Sequence, residues 1–283
     1  MRLANGTHSV HSVAHRETFH PVIGPVAEAE ALYVRQLRLP ERLAGQGGEF
    51  VVWDVGLGAA ANVLTVLRAG RTVGGTLAPL RIVSFDHTLE PLRFAAAHAE
   101  SLGYFGGYEA AIAELQARHR VEFEEAGRRI QWELHLGDFP TWLAGRKAAP
   151  AGEVLPAPHA ILFDAYSPAK NPAMWTQPLF AQLFQQLDPA RPCALPTYSR
   201  STMLRVSLLL AGFYVGAGHA TGEKEETTIA ANTPALITEP LDQKWLQRAR
   251  NSTSAEPMWE PVYRQAPLTE ETWEKLRVHP QFA

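Results

Sequence analysis

Two glycines and an aspartate stand close together in the segment Asp54-Val55-Gly56-Leu57-Gly58, at the end of an apolar run. Gly56 and Gly58 let the backbone turn tightly and approach a ligand, because neither residue carries a Cβ atom. The pattern continues as Gly-x-Gly-x-x-Ala to Ala61, which also satisfies the dinucleotide-binding pattern. The glycines therefore indicate a nucleotide-like cofactor without distinguishing a dinucleotide from S-adenosylmethionine.

Three acidic residues at successive strand ends favour S-adenosylmethionine. Asp54 precedes the first glycine by two positions, where a carboxylate suits the ammonium of a methionine moiety and repels a pyrophosphate. Asp86 ends the next predicted strand, where it can accept both ribose hydroxyls, although it lies further along the chain than the ~20 positions usual in dinucleotide folds. Asp138 follows the third predicted strand, where an aspartate is expected to accept a hydrogen bond from the adenine amino group. Each aspartate, taken alone, is also explained as a cap of the following helix. For the three together, the alternative to an S-adenosylmethionine enzyme is a nicotinamide-dependent enzyme.

A second group of polar and aromatic residues follows the fourth predicted strand, in the loop DAYSPAKNPAMWT. Two prolines restrict the backbone of this loop. We therefore expect its functional side chains at the carboxyl edge of the sheet: Asp164, Tyr166, Lys170 and Asn171. The alternative is ordinary loop composition, with Trp175 starting the next helix.

Apolar runs alternating with amphipathic stretches predict the elements that position these residues. The predicted strands are Phe50–Val55, Arg81–Phe85, Ile130–Leu136, His159–Phe163, Cys193–Thr197, Tyr214–Gly216 and Thr227–Ala231. The predicted helices include Ala27–Arg42 (closed by Pro40), Ala60–Ala69, Glu90–Leu102, one within residues 103–129, Asp242–Arg250 and Thr269–Val278. This order predicts an α/β fold with a mostly parallel, doubly wound sheet and an antiparallel late strand. We expect an N-terminal extension (1–48), a cofactor-binding domain (49–239) and a C-terminal tail packed on the core (240–283).

The first twenty residues contain four histidines, His8, His11, His15 and His20. Their spacing suggests a metal site, but no acidic or cysteine cluster accompanies them. We therefore predict no metal and a mobile or loosely packed end.

Composition restricts the class of protein. Apolar residues make up 46% of the 283 residues and charged residues 19%, as in globular proteins. The net charge of −3 argues against a generally basic nucleic-acid-binding surface, though not against a local one. The single cysteine excludes internal disulfides and is consistent with a reducing cytoplasm. No segment has the pattern of a secretory signal or a membrane span.

The loop DAYSPAKNPAMWTQPLF resembles the signature of the methyltransferase half of MnmC, a bifunctional tRNA-modifying enzyme, and of its free-standing relatives. The resemblance extends over most of residues 50–232, through DVGLG, SFDHTLEPL, LHLGD and TYSRSTMLRVSLLLAGFYV. The loop motif is long and specific, whereas the glycine motif is generic. The resemblance implies a Rossmann-like class I methyltransferase that uses S-adenosylmethionine to methylate the exocyclic amine of 5-aminomethyl-2-thiouridine at the tRNA wobble position.

By the same resemblance, Asp164 lies at the acidic loop position next to the transferred methyl group, so we expect it to serve both cofactor and catalysis. Two departures stand out: Ala60 replaces the third glycine of the family motif, and Tyr166-Ser167 replaces the common Phe-Ala. The flavin-dependent oxidase half has no counterpart, so no flavin chemistry is expected.

The expected tRNA partner gives the remaining residues their roles. Tyr166 can stack on a flipped-out base of the anticodon loop. Lys170, Asn171 and Arg200 are expected to bind the substrate. Arg205 is a further candidate phosphate contact. For both Arg200 and Arg205, the alternative is a position on a solvated helix face. The other functions consistent with the sequence are methylation of a small-molecule or protein amine, and cofactor binding without turnover. The oligomeric state is not predicted.

Overall fold

The computed structural model describes residues 1–72, 74, 78–146, 155–222 and 225–283. The chain divides into two compact units. The first contains Met1–Phe139, Pro158–Asp164 and His219–Glu225, and the second contains Pro140–Ala157, Ala165–Gly218 and Glu226–Ala283.

The strands are β1 (His11–Ser12), β2 (Glu17–Thr18), β3 (Phe50–Val55), β4 (Leu80–Asp86), β5 (Arg120–Glu125), β6 (Arg128–Leu136), β7 (Ala160–Phe163), β8 (Ala194–Thr197), β9 (Tyr214–Gly218) and β10 (Thr227–Ala231). The α-helices are α1 (Pro25–Ala29), α2 (Leu39–Ala44), α3 (Ala61–Arg71), α4 (Glu90–Ala97), α5 (Ala99–Leu102), α6 (Glu109–Arg118), α7 (Phe139–Gly145), α8 (Gln177–Phe184), α9 (Thr202–Ala211), α10 (Gln243–Arg250) and α11 (Glu270–Arg277). No helix within the described ranges has the length and apolar character needed to cross a membrane.

Five strands of the first unit form a sheet in the order β5-β6-β4-β3-β7. β3 is parallel to both β4 and β7, and β4 is parallel to β6. Every residue of β3 is buried, which explains why its sequence is apolar except for Asp54. The chain leaves β3 for β4 and β6 on one side and later returns to β7 on the other. Open parallel sheets bind ligands at such a reversal, beyond the carboxyl ends of the strands.

The second unit contains β8, β10 and β9, and β10 is antiparallel to both of its neighbours. Its helices α8 and α9 begin at hydroxyl caps, where Thr176 accepts from the amide of Leu179 and Ser201 from that of Leu204. The predicted α/β class, with a mostly parallel sheet and an antiparallel late strand, is confirmed.

The predicted helix Ala27–Arg42 is interrupted. A π-helical segment, Glu30–Arg35, follows α1, and Arg38 adopts a left-handed conformation (φ 49°) directly before α2. Pro40 lies in the first turn of α2, where the missing N–H is tolerated. It therefore begins a helix instead of ending one.

The strand β5 was not predicted, because its sequence Arg-Val-Glu-Phe-Glu-Glu is mostly charged. It pairs antiparallel with β6 at the edge of the sheet, through a turn in which Ala126 and Gly127 both have positive φ. Arg120, Glu122 and Glu124 face solvent, as is usual for an edge strand, whereas Glu125 pairs with Arg71. The helix predicted in the same region is α6.

The predicted mobile or loosely packed N-terminus is wrong. β1 and β2 form a hairpin, and Leu3, Ser9 and Val10 are buried. Local sequence gave no sign of this packing because the segment is polar and its apolar contacts lie elsewhere in the first unit.

Candidate active site

Asp54 lies within β3 and is fully buried. Its Oδ2 accepts a hydrogen bond from Ser84 Oγ at 2.7 Å, and that hydroxyl accepts one from Trp132 Nε1 at 2.9 Å. Its Oδ1 is buried and has no hydrogen-bond partner among the described residues. Burial, with smaller contributions from the charges of Asp164 and Asp86, raises the pKa of Asp54 to about 8. A charged carboxylate is the expectation from the sequence, but in the unliganded structure burial keeps the group mostly neutral at pH 7.

The glycine turn follows β3 and is tied to the end of β4. Gly56 and Gly58 both have positive φ, at 104° and 52°. The amide of Gly58 donates a hydrogen bond of 2.8 Å to Oδ2 of Asp86. Asp86 therefore fixes the turn as well as standing at the strand end, a role that the sequence did not indicate.

Ala60, which replaces the third glycine of the family motif, adopts a left-handed conformation with φ 62° and ψ 11°. It is completely buried. Its amide donates to the carbonyl of Leu57 at 2.8 Å, which closes the turn before α3 begins. The turn thus accepts a Cβ atom at this position, in a backbone conformation that costs an alanine about 1–2 kcal/mol.

Asp164 follows β7 directly, and its amide donates to the carbonyl of Val55 at the end of β3. Its Oδ2 lies 2.7 Å from Nδ2 of Asn62 and 2.9 Å from Nε2 of His20. Neither of these neighbours was predicted. Asn62 is a buried amide in an otherwise apolar first turn of α3, and that polarity could have identified it. His20 is 144 positions away in sequence, and no local pattern identifies it.

The carboxyl ends of β3, β4 and β7 thus bring three acidic groups to one edge of the sheet. Asp86 and Asp164 both act electrostatically on Asp54 and both raise its pKa. Asp138, after β6, is exposed, and with Asp86 it raises the pKa of His87. Carboxylates gathered at this edge suit a cationic ligand.

The loop after Asp164 belongs to the second unit. The carbonyl of Tyr166 accepts a hydrogen bond of 2.7 Å from the indole of Trp175, which is almost fully buried. Tyr198 donates its hydroxyl to the carbonyl of Ala165 at 3.0 Å. Trp175 ends a short 3-10 helix before α8, so it anchors the loop rather than starting the α-helix.

The other predicted substrate residues also lie in the second unit. The amides of Lys170 and Asn171 both donate to the carbonyl of Ser167 at 2.8 Å, which forms a turn. The side chains of Lys170 and Arg200 are exposed. Arg200 precedes the cap of α9.

Arg205 is neither a phosphate contact nor part of a solvated face, so both predicted alternatives are wrong. It is buried, and its guanidinium donates to Thr228 Oγ1 at 3.0 Å, to the carbonyl of Thr227 at 2.7 Å and to Glu226 at 3.1 Å. It joins α9 to the start of β10. Its position in sequence did not reveal this, because the partners become neighbours only when the sheet forms.

We expect Arg205→Met to lower the free energy of unfolding by about 3 kcal/mol, because it leaves the buried oxygens of Thr227 and Thr228 without a donor. Arg200→Met, at an exposed position five residues earlier, should change it by less than about 0.5 kcal/mol. Urea unfolding of both variants measures the difference. Equal stabilities would show that the buried hydrogen bonds of Arg205 do not stabilise the fold.

Within the described part of the chain, no three His, Cys, Asp or Glu side chains are grouped so that they could hold a metal ion.

Comparisons with known proteins bear on this arrangement. Residues 107–233 match a family described as S-adenosyl-L-methionine-dependent methyltransferase. The chain is 28% identical over 236 residues to the tRNA 5-methylaminomethyl-2-thiouridine biosynthesis bifunctional protein MnmC of Methylibium petroleiphilum, a match that covers 81% of this chain and 34% of that protein. It is 32% identical over 211 residues to MnmC of Aeromonas hydrophila, covering 71% of this chain and 30% of that protein. The chain is a relative of the MnmC proteins.

It spans about a third of the length of these MnmC relatives. The crystal structure of MNMC2 from Aquifex aeolicus shares the fold, with a TM-score of 0.68 and 24% identity over 97% of this chain and 81% of that one. Residues 107–233 therefore match a family of S-adenosylmethionine-dependent methyltransferases, and the chain has the fold of MNMC2. The predicted family resemblance, fold and cofactor are confirmed. The individual roles of the site residues stay predictions.

Proposed function

We propose that this chain transfers a methyl group from S-adenosylmethionine to the aminomethyl nitrogen of a modified wobble uridine in tRNA. The main support is the similarity, over 81% of the chain, to a protein named for 5-methylaminomethyl-2-thiouridine biosynthesis in tRNA. The position of Asp164 adds a chemical reason. Its carboxylate is held at the sheet edge by two hydrogen bonds, where it suits a cationic amine.

The residues at this edge fit the cofactor. The turn at Gly56 and Gly58 carries no Cβ atoms at these two positions and has positive φ at both, and the buried Oδ1 of Asp54 has no donor among the described residues. Asp86 and Asp138 stand at the ends of β4 and β6, where they would hold the ribose hydroxyls and the adenine amino group. When bound, the cofactor supplies a methyl group activated on a positively charged sulfur.

Asp164 would act on the amine. A primary alkylamine is protonated near neutral pH and has no lone pair to attack with. The Asp164 carboxylate would attract this ammonium group, orient it and accept a proton directly or through water. The remaining acceleration comes from alignment, which is the main contribution in an in-line displacement.

The substrate roles of four further residues follow from the sequence and the resemblance. Tyr166, whose backbone is anchored by Trp175, would stack on the base. The exposed cations Lys170 and Arg200 would contact phosphates. The side-chain amide of Asn171 would hydrogen-bond the nucleotide.

We expect Asp86→Ala to weaken S-adenosylmethionine binding by about 1.5–3 kcal/mol. The substitution removes the acceptor for the ribose hydroxyls and also the hydrogen bond that fixes Gly58. Isothermal titration calorimetry measures the loss, and Glu90→Ala, an exposed carboxylate at the start of α4, is the control. Tight binding of NADH with none of S-adenosylmethionine would contradict the cofactor assignment.

Methyl transfer to defined tRNA tests the function. The protein is incubated with methyl-labelled S-adenosylmethionine and tRNA that carries 5-aminomethyl-2-thiouridine, and the same tRNA without the aminomethyl group is the control. We expect label only in the first tRNA. Label in a small-molecule or protein amine, with no tRNA shift in an electrophoretic assay, would replace the proposed substrate. Failure to bind the cofactor would indicate a protein without turnover.

A further inference from the structure

The N-terminal segment, residues 1–24, holds two side chains against the candidate site. The backbone of Phe19 is fixed at both ends, since its amide donates to the carbonyl of Val10 at 2.9 Å and its carbonyl accepts from the hydroxyl of Ser9. Asn5 donates to the carbonyl of Ile23 at 2.9 Å. The segment is thus folded on both sides of His20.

Phe19 and His20 contact the two features that define the candidate site. A Cβ atom on Gly58 would lie 3.0 Å from Cε2 of Phe19, so the phenyl ring covers the glycine turn. His20 places Nε2 2.9 Å from Oδ2 of Asp164. Its side chain is 9% exposed and that of Asp164 is 15% exposed, which largely screens the contact from water.

His20 also has an unusual backbone. Its φ is 48°, in the left-handed region that residues with a Cβ atom rarely adopt. Such a conformation costs about 1–3 kcal/mol and persists only where the surroundings enforce it. The neighbouring Phe19 is held by two hydrogen bonds to its backbone, and in this conformation the imidazole of His20 contacts Asp164.

Asn62 supplies the second donor to the same carboxylate oxygen, at 2.7 Å. When Asp164 is ionised it only accepts hydrogen bonds, and Nε2 of His20 then carries the hydrogen of their contact. Two donors from separate elements define the rotation of the Asp164 side chain. Hydrogen bonds donated to a carboxylate also stabilise its ionised form.

We propose that His20 is a positioning residue for methyl transfer: with Asn62, it holds the Asp164 carboxylate charged and oriented toward the substrate amine. The inference rests on the proposed function, and it assigns a catalytic purpose to the N-terminal segment. His20 acts through Asp164 and does not itself touch the reacting atoms.

Steady-state kinetics of three variants test this role. His20→Phe keeps an aromatic ring but removes the donor, and we expect kcat to fall roughly ten- to hundredfold with the affinity for S-adenosylmethionine unchanged. His20→Gln retains an N–H near the position of Nε2 and should restore kcat to within about threefold of the wild type. His11→Phe, an exposed histidine in the same segment, is the matched control and should change nothing. Thermal melts show that each variant is folded.

A double-mutant cycle separates positioning from a general structural effect. If His20 acts through Asp164, adding His20→Phe to Asp164→Asn should lower kcat little further. Losses that multiply in the double variant, or equal losses in His20→Phe and His20→Gln, would overturn the proposal.

Nitrogen-15 NMR of the imidazoles tests the contact without any substrate. We expect Asp164→Asn to shift the Nε2 resonance of His20 and to leave that of His11 unchanged. An unmoved His20 resonance would overturn the proposal whatever the activity. Absence of methyl transfer to tRNA by the wild type, with the resonance shifted, would instead refute the proposed substrate and, with it, the catalytic purpose assigned to His20.

Discussion

Asp164→Asn is expected to lower the turnover of methyl transfer roughly a hundredfold or more, with little change in the affinity for S-adenosylmethionine. The asparagine keeps the size of the side chain and one oxygen acceptor for Asn62 and His20. It removes the negative charge that attracts the ammonium group and that can accept its proton. In the proposed assignment the cofactor is held by the turn at Gly58 and by Asp86, whose mutual hydrogen bond does not involve Asp164.

Rapid-quench measurement of a single turnover, with calorimetry of cofactor binding, distinguishes the possible roles of Asp164. Asp138→Asn is an informative comparison, since we expect weaker cofactor binding and normal turnover at saturation. A parallel loss of binding and activity in Asp164→Asn would make Asp164 a cofactor ligand or a fold element. Unchanged turnover on the aminomethyl substrate would remove it from the mechanism.

Asp54→Asn is expected to change how the stability of the unliganded protein depends on pH. The folded-state pKa of Asp54 is about 8, against 3.8 for an unperturbed aspartate. Between these two pH values the folded state holds one more proton than the unfolded chain. The free energy of unfolding therefore falls as pH rises, by about 1.4 kcal/mol per pH unit, and the contribution sums to about 5 kcal/mol between pH 4 and pH 8. The amide introduced by the substitution keeps an acceptor for Ser84 but cannot ionise.

Urea unfolding of wild type and Asp54→Asn at pH 5, 6, 7 and 8 measures this effect, and the difference between the two proteins cancels the other titrating groups. The wild type should lose stability relative to the variant at each step. The exposed Asp138→Asn is the control and should run parallel to the wild type. A constant difference between wild type and Asp54→Asn would show that Asp54 is already ionised at pH 5.

The sequence by itself determined the elements whose signals are local. β3, predicted from its apolar run, and β10, predicted as a shorter strand, both have the predicted bounds. A buried strand needs apolar residues on both faces, so its ends are visible where the run stops. The glycine turn and the acids at the ends of β3, β4 and β6 could also be placed, because the carboxyl ends of parallel strands share one edge.

Only the tertiary structure decided which polar groups meet. Asp54 appeared charged in sequence, but burial keeps it mostly neutral. Arg205 appeared to lie on a helix surface, but the start of β10 covers it. The hydrogen bond between His20 and Asp164 joins residues 144 positions apart. The charge, exposure and hydrogen bonding of a side chain depend on neighbours that are distant in the chain. The periodicity of a sequence shows which face of an element is buried, but it does not show which residues cover that face.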